Sequence, residues 1–149
     1  MTGPRLRSQR KKRLLFVCYG NICRSPMAEA IARQRLGDAA EVASAGIGAA
    51  GGPAVTEAVE VMRAIYHLDI SGHIARPVAV FDLKSFDYIV ALDPTIKRHL
   101  REVWGVADRV LYGWDIEDPL GADFQTFKDT ARKIERRLEK FLAAAGLAG

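Results

Sequence analysis

The sequence contains only two cysteines, Cys18 and Cys23, and no acidic residue in its first 13 positions. It also lacks any apolar run approaching the ~18 residues that a membrane-spanning helix needs. Two cysteines cannot build a disulfide scaffold, and a bridge between neighbours in one loop would restrain almost nothing. A zinc site is disfavoured too, because no further ligands stand at metal spacing. Catalysis or redox chemistry is what remains for them. The amino end is basic, but Leu14-Leu15-Phe16-Val17-Cys18 is too short and too soon interrupted for the apolar centre of a signal peptide. A cytoplasmic location is therefore expected.

The 149 residues suit one domain with one substantial core. With 49% hydrophobic and 27% charged residues, neither a disordered nor a fibrous chain is indicated. The net charge of +4 is unevenly spread. Arg5, Arg7, Arg10, Lys11, Lys12 and Arg13 are six of the 22 basic residues, so the other 16 face 18 acids and the body is close to −2. Residues 1–12 thus read as a basic, solvated tail and residues 13–149 as the folded domain. Contact of the tail with anionic lipid or nucleic acid is the alternative reading. A basic tail on a slightly acidic body is a weaker nucleic-acid signal than a basic face, and no nucleic-acid partner is expected.

Along the chain, strand and helix patterns alternate. Lys12 to Cys18 ends in an apolar run that reads as a buried strand. A Gly/Asn/Ser/Pro cluster follows, then a helix, with Pro26 in its first turn, Ser25 as its cap and Gly37 as its stop. Glu41–Ala45 reads as a second strand and Gly46–Pro53 as a loop of small residues. Val55, Ala58, Val59, Met62, Ile65 and Tyr66 mark a second helix. Tyr88–Leu92 is a strand stopped by Asp93-Pro94, and Ile96, Leu100, Val103 and Trp104 then carry a helix to Gly105. Arg109–Tyr112 reads as the last strand. After an acidic loop, Phe124, Phe127, Ala131, Ile134, Leu138, Phe141 and Leu142 step by threes and fours along a closing amphipathic helix. This alternation predicts an α/β fold, a parallel sheet with helices on both faces. Ligands in such folds bind at the carboxyl ends of strands, where Cys18 lies.

The segment Cys18-Tyr19-Gly20-Asn21-Ile22-Cys23-Arg24-Ser25 has the composition of an anion cradle. A loop of this length between strand and helix can turn successive amide N–H groups onto one tetrahedral anion. Gly20 permits close backbone approach, and Asn21 tolerates the left-handed conformation that inward amides require. Arg24 can hold two phosphate oxygens in a planar fork that lysine does not reproduce. The amides, the helix dipole and the guanidinium together favour a thiolate at Cys18, the nucleophile. Ser25 can donate a hydrogen bond to that sulfur as it leaves. A general acid is harder to choose, because Asp115, Glu117, Asp118 and Asp123 share one acidic loop. Pro119 stiffens the chain beside Asp118.

Residues 17–29, Val-Cys-Tyr-Gly-Asn-Ile-Cys-Arg-Ser-Pro-Met-Ala-Glu, resemble the active-site motif of the low-molecular-weight protein tyrosine phosphatases. The similarity continues through Ser44-Ala45-Gly46, Ser71–Arg76, Asp87–Asp93 and Asp118-Pro119, spanning roughly residues 13–145. The resemblance implies a three-layer sandwich with a four-stranded parallel sheet in order 2-1-3-4. It also implies a phosphotyrosine-bearing protein as substrate and a phosphocysteine formed on Cys18. Arg24 and the loop residues Tyr19, Gly20, Asn21, Ile22, Cys23 and Ser25 would bind the phosphate. Asp118 would act as general acid and then base. Asn21, Ser25, Ser44 and His73 would hold the loop in shape. No metal or organic cofactor is implied, and monomer and weak dimer both stay open. Cys23 has two readings, a disulfide partner that shields Cys18 from over-oxidation or a passive packing residue.

The chain departs from the family where a substrate ring would be gripped. Leu120 follows Asp118-Pro119 in place of a usual aromatic, and Gly46–Pro53 offers only small residues and Ile47. Tyr19 and Trp114 are candidate replacements. Ile22 carries apolar bulk where arginine-phosphatase relatives have threonine, which favours an aromatic phosphate over phosphoarginine. Arsenate reductase, which uses the same loop, is the nearest enzymatic rival. With no cysteine after Cys23, an internal thiol relay is excluded and an external thiol would be required. A catalytically silent phosphoprotein-binding module is the rival from another class.

Overall fold

Strand β1, Lys12–Cys18, is buried from Leu14 onward on both faces, and that pattern organises the molecule. Successive side chains point to opposite sides of a strand. Leu14, Phe16 and Cys18 therefore enter one apolar cluster, while Leu15 and Val17 enter another. The protein, seen here as a computed structural model, is described over residues 10–147. Residues 1–9 of the expected basic tail fall outside that span, and Lys12 already belongs to β1.

Three further strands complete the sheet: β2 (Ala40–Gly46), β3 (Tyr88–Ala91) and β4 (Leu111–Gly113). All pairings are parallel and the order is β2-β1-β3-β4, as expected for this α/β sandwich. Four helices connect them: α1 (Arg24–Leu36), α2 (Thr56–Tyr66), α3 (Pro94–Glu102) and α4 (Phe124–Ala144). Helices α1, α2 and α4 supply Ile31, Met62 and Phe127 to the cluster on one face. Helix α3 supplies Ile96 and Leu100 to the other.

Local chemistry sets the boundaries. Asp93 caps α3 by accepting from the Ile96 amide at 2.9 Å, with Pro94 as the first helical residue. Asp123 caps α4 in the same way through Thr126, and this bond holds its carboxyl below the usual carboxylate range. Gly37 ends α1 at a φ of +53°. Several expected boundaries shift: α3 ends at Glu102 and β3 at Ala91, each short of its expected end. Helix α1 begins at Arg24 with Cys23 at the cap position and no side-chain cap bond, so Ser25 is not the cap. Its hydroxyl bonds the Cys18 sulfur instead. Strand β4 starts at Leu111, because Asp108–Val110 first makes a 3-10 turn.

Helix α4 buries Phe127, Ala131, Ile134, Leu138 and Leu142 at the expected spacing. Phe141 is only half-buried, packing edge-on to Tyr88 and Tyr112 with centroids 5.5 and 5.2 Å away. Trp114, 4% exposed, lies against Phe16 at 5.8 Å and is thus a packing residue. Tyr66 on α2 donates to Glu135 on α4 at 3.0 Å, and Arg35 on α1 meets the same carboxylate at 2.6 Å. Burial, then the Glu135 bond, pushes the Tyr66 phenol up to about 12.

Truncating Phe127, which is fully buried between α4 and the sheet, is expected to cost about 3–5 kcal/mol. Urea unfolding of Phe127→Ala checks this, and a loss below about 1 kcal/mol would contradict the packing described.

Candidate active site

Between the end of β1 and the start of α1 the chain turns through Tyr19–Cys23, and its carbonyls are held by the surrounding structure. The Cys18 carbonyl accepts from the Ile47 amide at 3.1 Å, Tyr19 from Gly48 at 2.8 Å and Ile22 from Val55 at 3.0 Å. The Asn21 carbonyl accepts from His73 Nε2 at 2.7 Å, so that nitrogen carries the hydrogen. In a planar trans peptide, C=O and the next N–H point in opposite directions. Fixing these four carbonyls therefore turns the amides of Tyr19, Gly20, Ile22 and Cys23 away from those partners. Asn21, at φ +57°, makes the left-handed turn between the two pairs, and its own amide donates to Cys18 Sγ at 3.3 Å.

A buried polar network supports the turn from behind. Asn21 Nδ2 donates to Ser25 Oγ at 2.7 Å and to Ser44 Oγ at 2.9 Å, while Oδ1 accepts from the Arg76 amide at 2.9 Å. Ser44 in turn donates to Glu29 Oε1 at 2.5 Å. Because Ser25 Oγ already accepts from Asn21, its hydrogen is available to Cys18 Sγ, 2.9 Å away, in preference to the Ala45 carbonyl at 3.5 Å. Asn21 and Ser25 are fully buried and lie beneath the cavity. Cys18, Tyr19, Gly20, Ile22, Cys23 and Arg24 line it, with Gly48, Ala50, Gly51, Asp118 and Leu120 opposite, around a volume of about 220 Å³.

Arg24 is 3% exposed and splits its donors. Nη1 is committed to Asp93 Oδ2 at 2.8 Å and the Ile116 carbonyl at 2.7 Å. Nε is buried without a partner among the described residues, and Nη2 stands 3.8 Å from Asp118 Oδ2. One edge of the guanidinium is anchored, and the Nε–Nη2 edge suits bidentate binding of an oxyanion. Burial, Asp118 and Cys18 push the Cys23 thiol up to about 12 despite Arg24. Cys23 is thus a neutral thiol at ordinary pH, which separates it from the role expected of Cys18.

Of the four acids in the loop after β4, Asp118 alone borders this cavity. Its Oδ1 accepts from the Leu120 amide at 3.1 Å, which orients the carboxylate. Asp123 is occupied as a helix cap, and Asp115 faces a separate groove beside Lys97 and Arg137. Among the described residues, no group of three or more His, Cys, Asp or Glu side chains could hold a metal ion.

Three contributors were not singled out from the sequence. Asp93 marks a strand stop there, yet it both caps α3 and anchors Arg24. Gly46 passes so close to the turn that a Cβ would sit 2.5 Å from the Tyr19 carbonyl oxygen. At Gly48 a Cβ would sit 2.7 Å from Tyr19 Cζ, so the phenol ring lies across this glycine. The Asp-Pro pair hinted at the first; the other two contacts depend on chain segments brought together by folding.

The family described as low molecular weight phosphotyrosine protein phosphatase matches residues 13–147. The chain is 38% identical over 138 residues to the probable low molecular weight protein-tyrosine-phosphatase EpsP of Ralstonia solanacearum, covering 88% of this chain and 94% of that one. It is 31% identical to an arsenate reductase of Bacillus cereus, with 89% and 96% covered. The crystal structure of a low molecular weight protein tyrosine phosphatase from T. tengcongensis shares the fold at a TM-score of 0.83 and 36% identity, covering 90% and 99%.

With its thiol held neutral, Cys23 is expected to resist alkylation. Iodoacetamide at pH 8 should label wild type and Cys23→Ser at Cys18 and leave Cys18→Ser unmodified, as read by peptide mass mapping. Labelling of Cys23 in Cys18→Ser at the wild-type rate would contradict the assignment.

Proposed function

The chain belongs to the low molecular weight phosphotyrosine protein phosphatase family, and from that premise we propose that it hydrolyses phosphotyrosine and other aryl phosphate monoesters through a phosphocysteine on Cys18. The observation that carries this reading is that Cys18, Arg24 and Asp118 border one small cavity, with Arg24 Nε left without a partner among the described residues. In the first step the Cys18 thiolate attacks phosphorus, the ester P–O bond breaks, and Asp118 passes its proton to the departing phenolate oxygen. Arg24 and the amides of the turn hold the equatorial oxygens as charge shifts. In the second step the Asp118 carboxylate takes a proton from water, whose oxygen attacks phosphorus. The S–P bond breaks, inorganic phosphate departs, and the Ser25 hydroxyl supports the sulfur as it regains its charge.

Preference for an aromatic ester rests on the walls. Tyr19, 60% exposed, leans across Gly48 and supplies an aromatic face at the cavity mouth. Ile22 and Leu120 add apolar surface, so a phenyl ring has partners that a guanidino group would use less well. With an exposed leucine where an aromatic could close the slot, selectivity is modest. Reduction of arsenate by an external thiol is the second reading, favoured by the arsenate reductase relative. A phosphotyrosine-bearing protein in the cytoplasm, where thiols stay reduced, is the proposed substrate.

Steady-state assays test both halves. Asp118→Asn is expected to lower kcat by roughly 10²–10⁴-fold for aryl phosphates with poor leaving groups, and much less when the leaving group needs no proton. Wild type should cleave phosphotyrosine peptides faster than phosphoarginine peptides. A reversed preference would overturn the tyrosine assignment, and arsenate-dependent thiol oxidation without phosphatase turnover would favour the reductase.

A further inference from the structure

In a parallel sheet all strands start at one end, and here that end is basic. Lys12 opens β1 and Cys18 closes it, so at ~3.3 Å per residue the two ends lie about 20 Å apart. Arg10, Lys11, Lys12, Arg13 and Lys84 border one cavity at the starting end. Lys12 and Lys84 also border a second, of about 630 Å³, which adds Arg109 and Trp104. Arg13 is paired with Glu41 at 3.0 Å. Among the described residues, Arg10, Lys11, Lys12, Lys84 and Arg109 make no ion pair. Beside them, at the carboxyl end of α3, Val103 is 66% and Trp104 39% exposed. The sequence upstream adds Arg5 and Arg7 with no acid. The family match begins only at residue 13, so the shared chemistry does not account for the run before it.

We propose that this end of the molecule docks on an anionic phospholipid surface. Five cations with no ion pair among the described residues meet the negative headgroup layer, and an exposed tryptophan beside a valine is suited to the interface between headgroups and acyl chains. A nucleic-acid groove fits less well. Asp87 stands among these cations in both cavities, whereas strand binding favours a continuous basic track with several stacking platforms. Docked this way, the protein turns the Cys18 cavity outward, within reach of phosphorylated segments of membrane-attached proteins.

The probe is vesicles of phosphatidylcholine alone or mixed with phosphatidylglycerol. Trp104 is the reporter, since Trp114 is buried. Sedimentation with the mixed vesicles and a blue shift of tryptophan emission, both reversed by salt, are expected, with neither on phosphatidylcholine alone. Lys11→Glu, Lys84→Glu and Arg109→Glu combined should weaken binding by roughly tenfold or more while aryl phosphatase activity is unchanged. Trp104→Ser should abolish the blue shift. Absence of binding to anionic vesicles, equal binding to neutral ones, or tighter binding to random duplex DNA would overturn the proposal.

Discussion

Everything at the site depends on where four carbonyl oxygens point. Ile47, Gly48, Val55 and His73 come from three separate stretches of chain, and each takes one carbonyl of the turn after β1. Because the peptide is planar, fixing the oxygens fixes the opposing amides. A short loop that would otherwise sample many conformations becomes an arranged set of donors. Pre-arranged dipoles stabilise developing charge without reorganising during the reaction, which is where such sites gain most of their effect. Asn21 is the pivot: its backbone makes the left-handed turn, and its side chain ties Ser25, Ser44 and Arg76 together.

The guanidinium follows the same logic from the other side of the cavity. Asp93 stands at the junction of β3 and α3, where one carboxylate oxygen caps the helix and the other anchors Arg24. The Ile116 carbonyl, just beyond β4, takes the same Nη1. Arg24 is thereby oriented by segments following two neighbouring strands, and both hold it through Nη1. Asp118 follows two residues after Ile116, so the backbone that anchors the arginine also brings this carboxylate to the cavity. The parallel sheet makes this possible, since the loops that leave its carboxyl edge must gather at one end.

Much of this was legible in the residues. The alternating strands and helices, the long amphipathic α4 and the tolerance of Asn21 for a left-handed backbone are local signals, and they predicted the α/β sheet and the left-handed turn after Cys18. Ser25 illustrates the limit: a serine before a proline-led helix reads as a cap, but a buried sulfur 2.9 Å away claims its hydroxyl. Asp93 was visible as a turn and invisible as an anchor, because its partner lies 69 positions earlier. Gly48 looked like one more small residue in a flexible loop, and only its approach to Tyr19 shows why no side chain fits there. Long-range contacts carry no periodicity that a single sequence displays.

The proposed chemistry turns on one covalent bond, between phosphorus and the Cys18 sulfur. Wild type mixed with a radiolabelled aryl phosphate and quenched rapidly in acid should carry the phosphoryl group on Cys18. Cys23→Ser should be labelled equally, and Cys18→Ser not at all. Label on any other residue, or turnover with no labelled protein under conditions where acid preserves a thiophosphate bond, would contradict it.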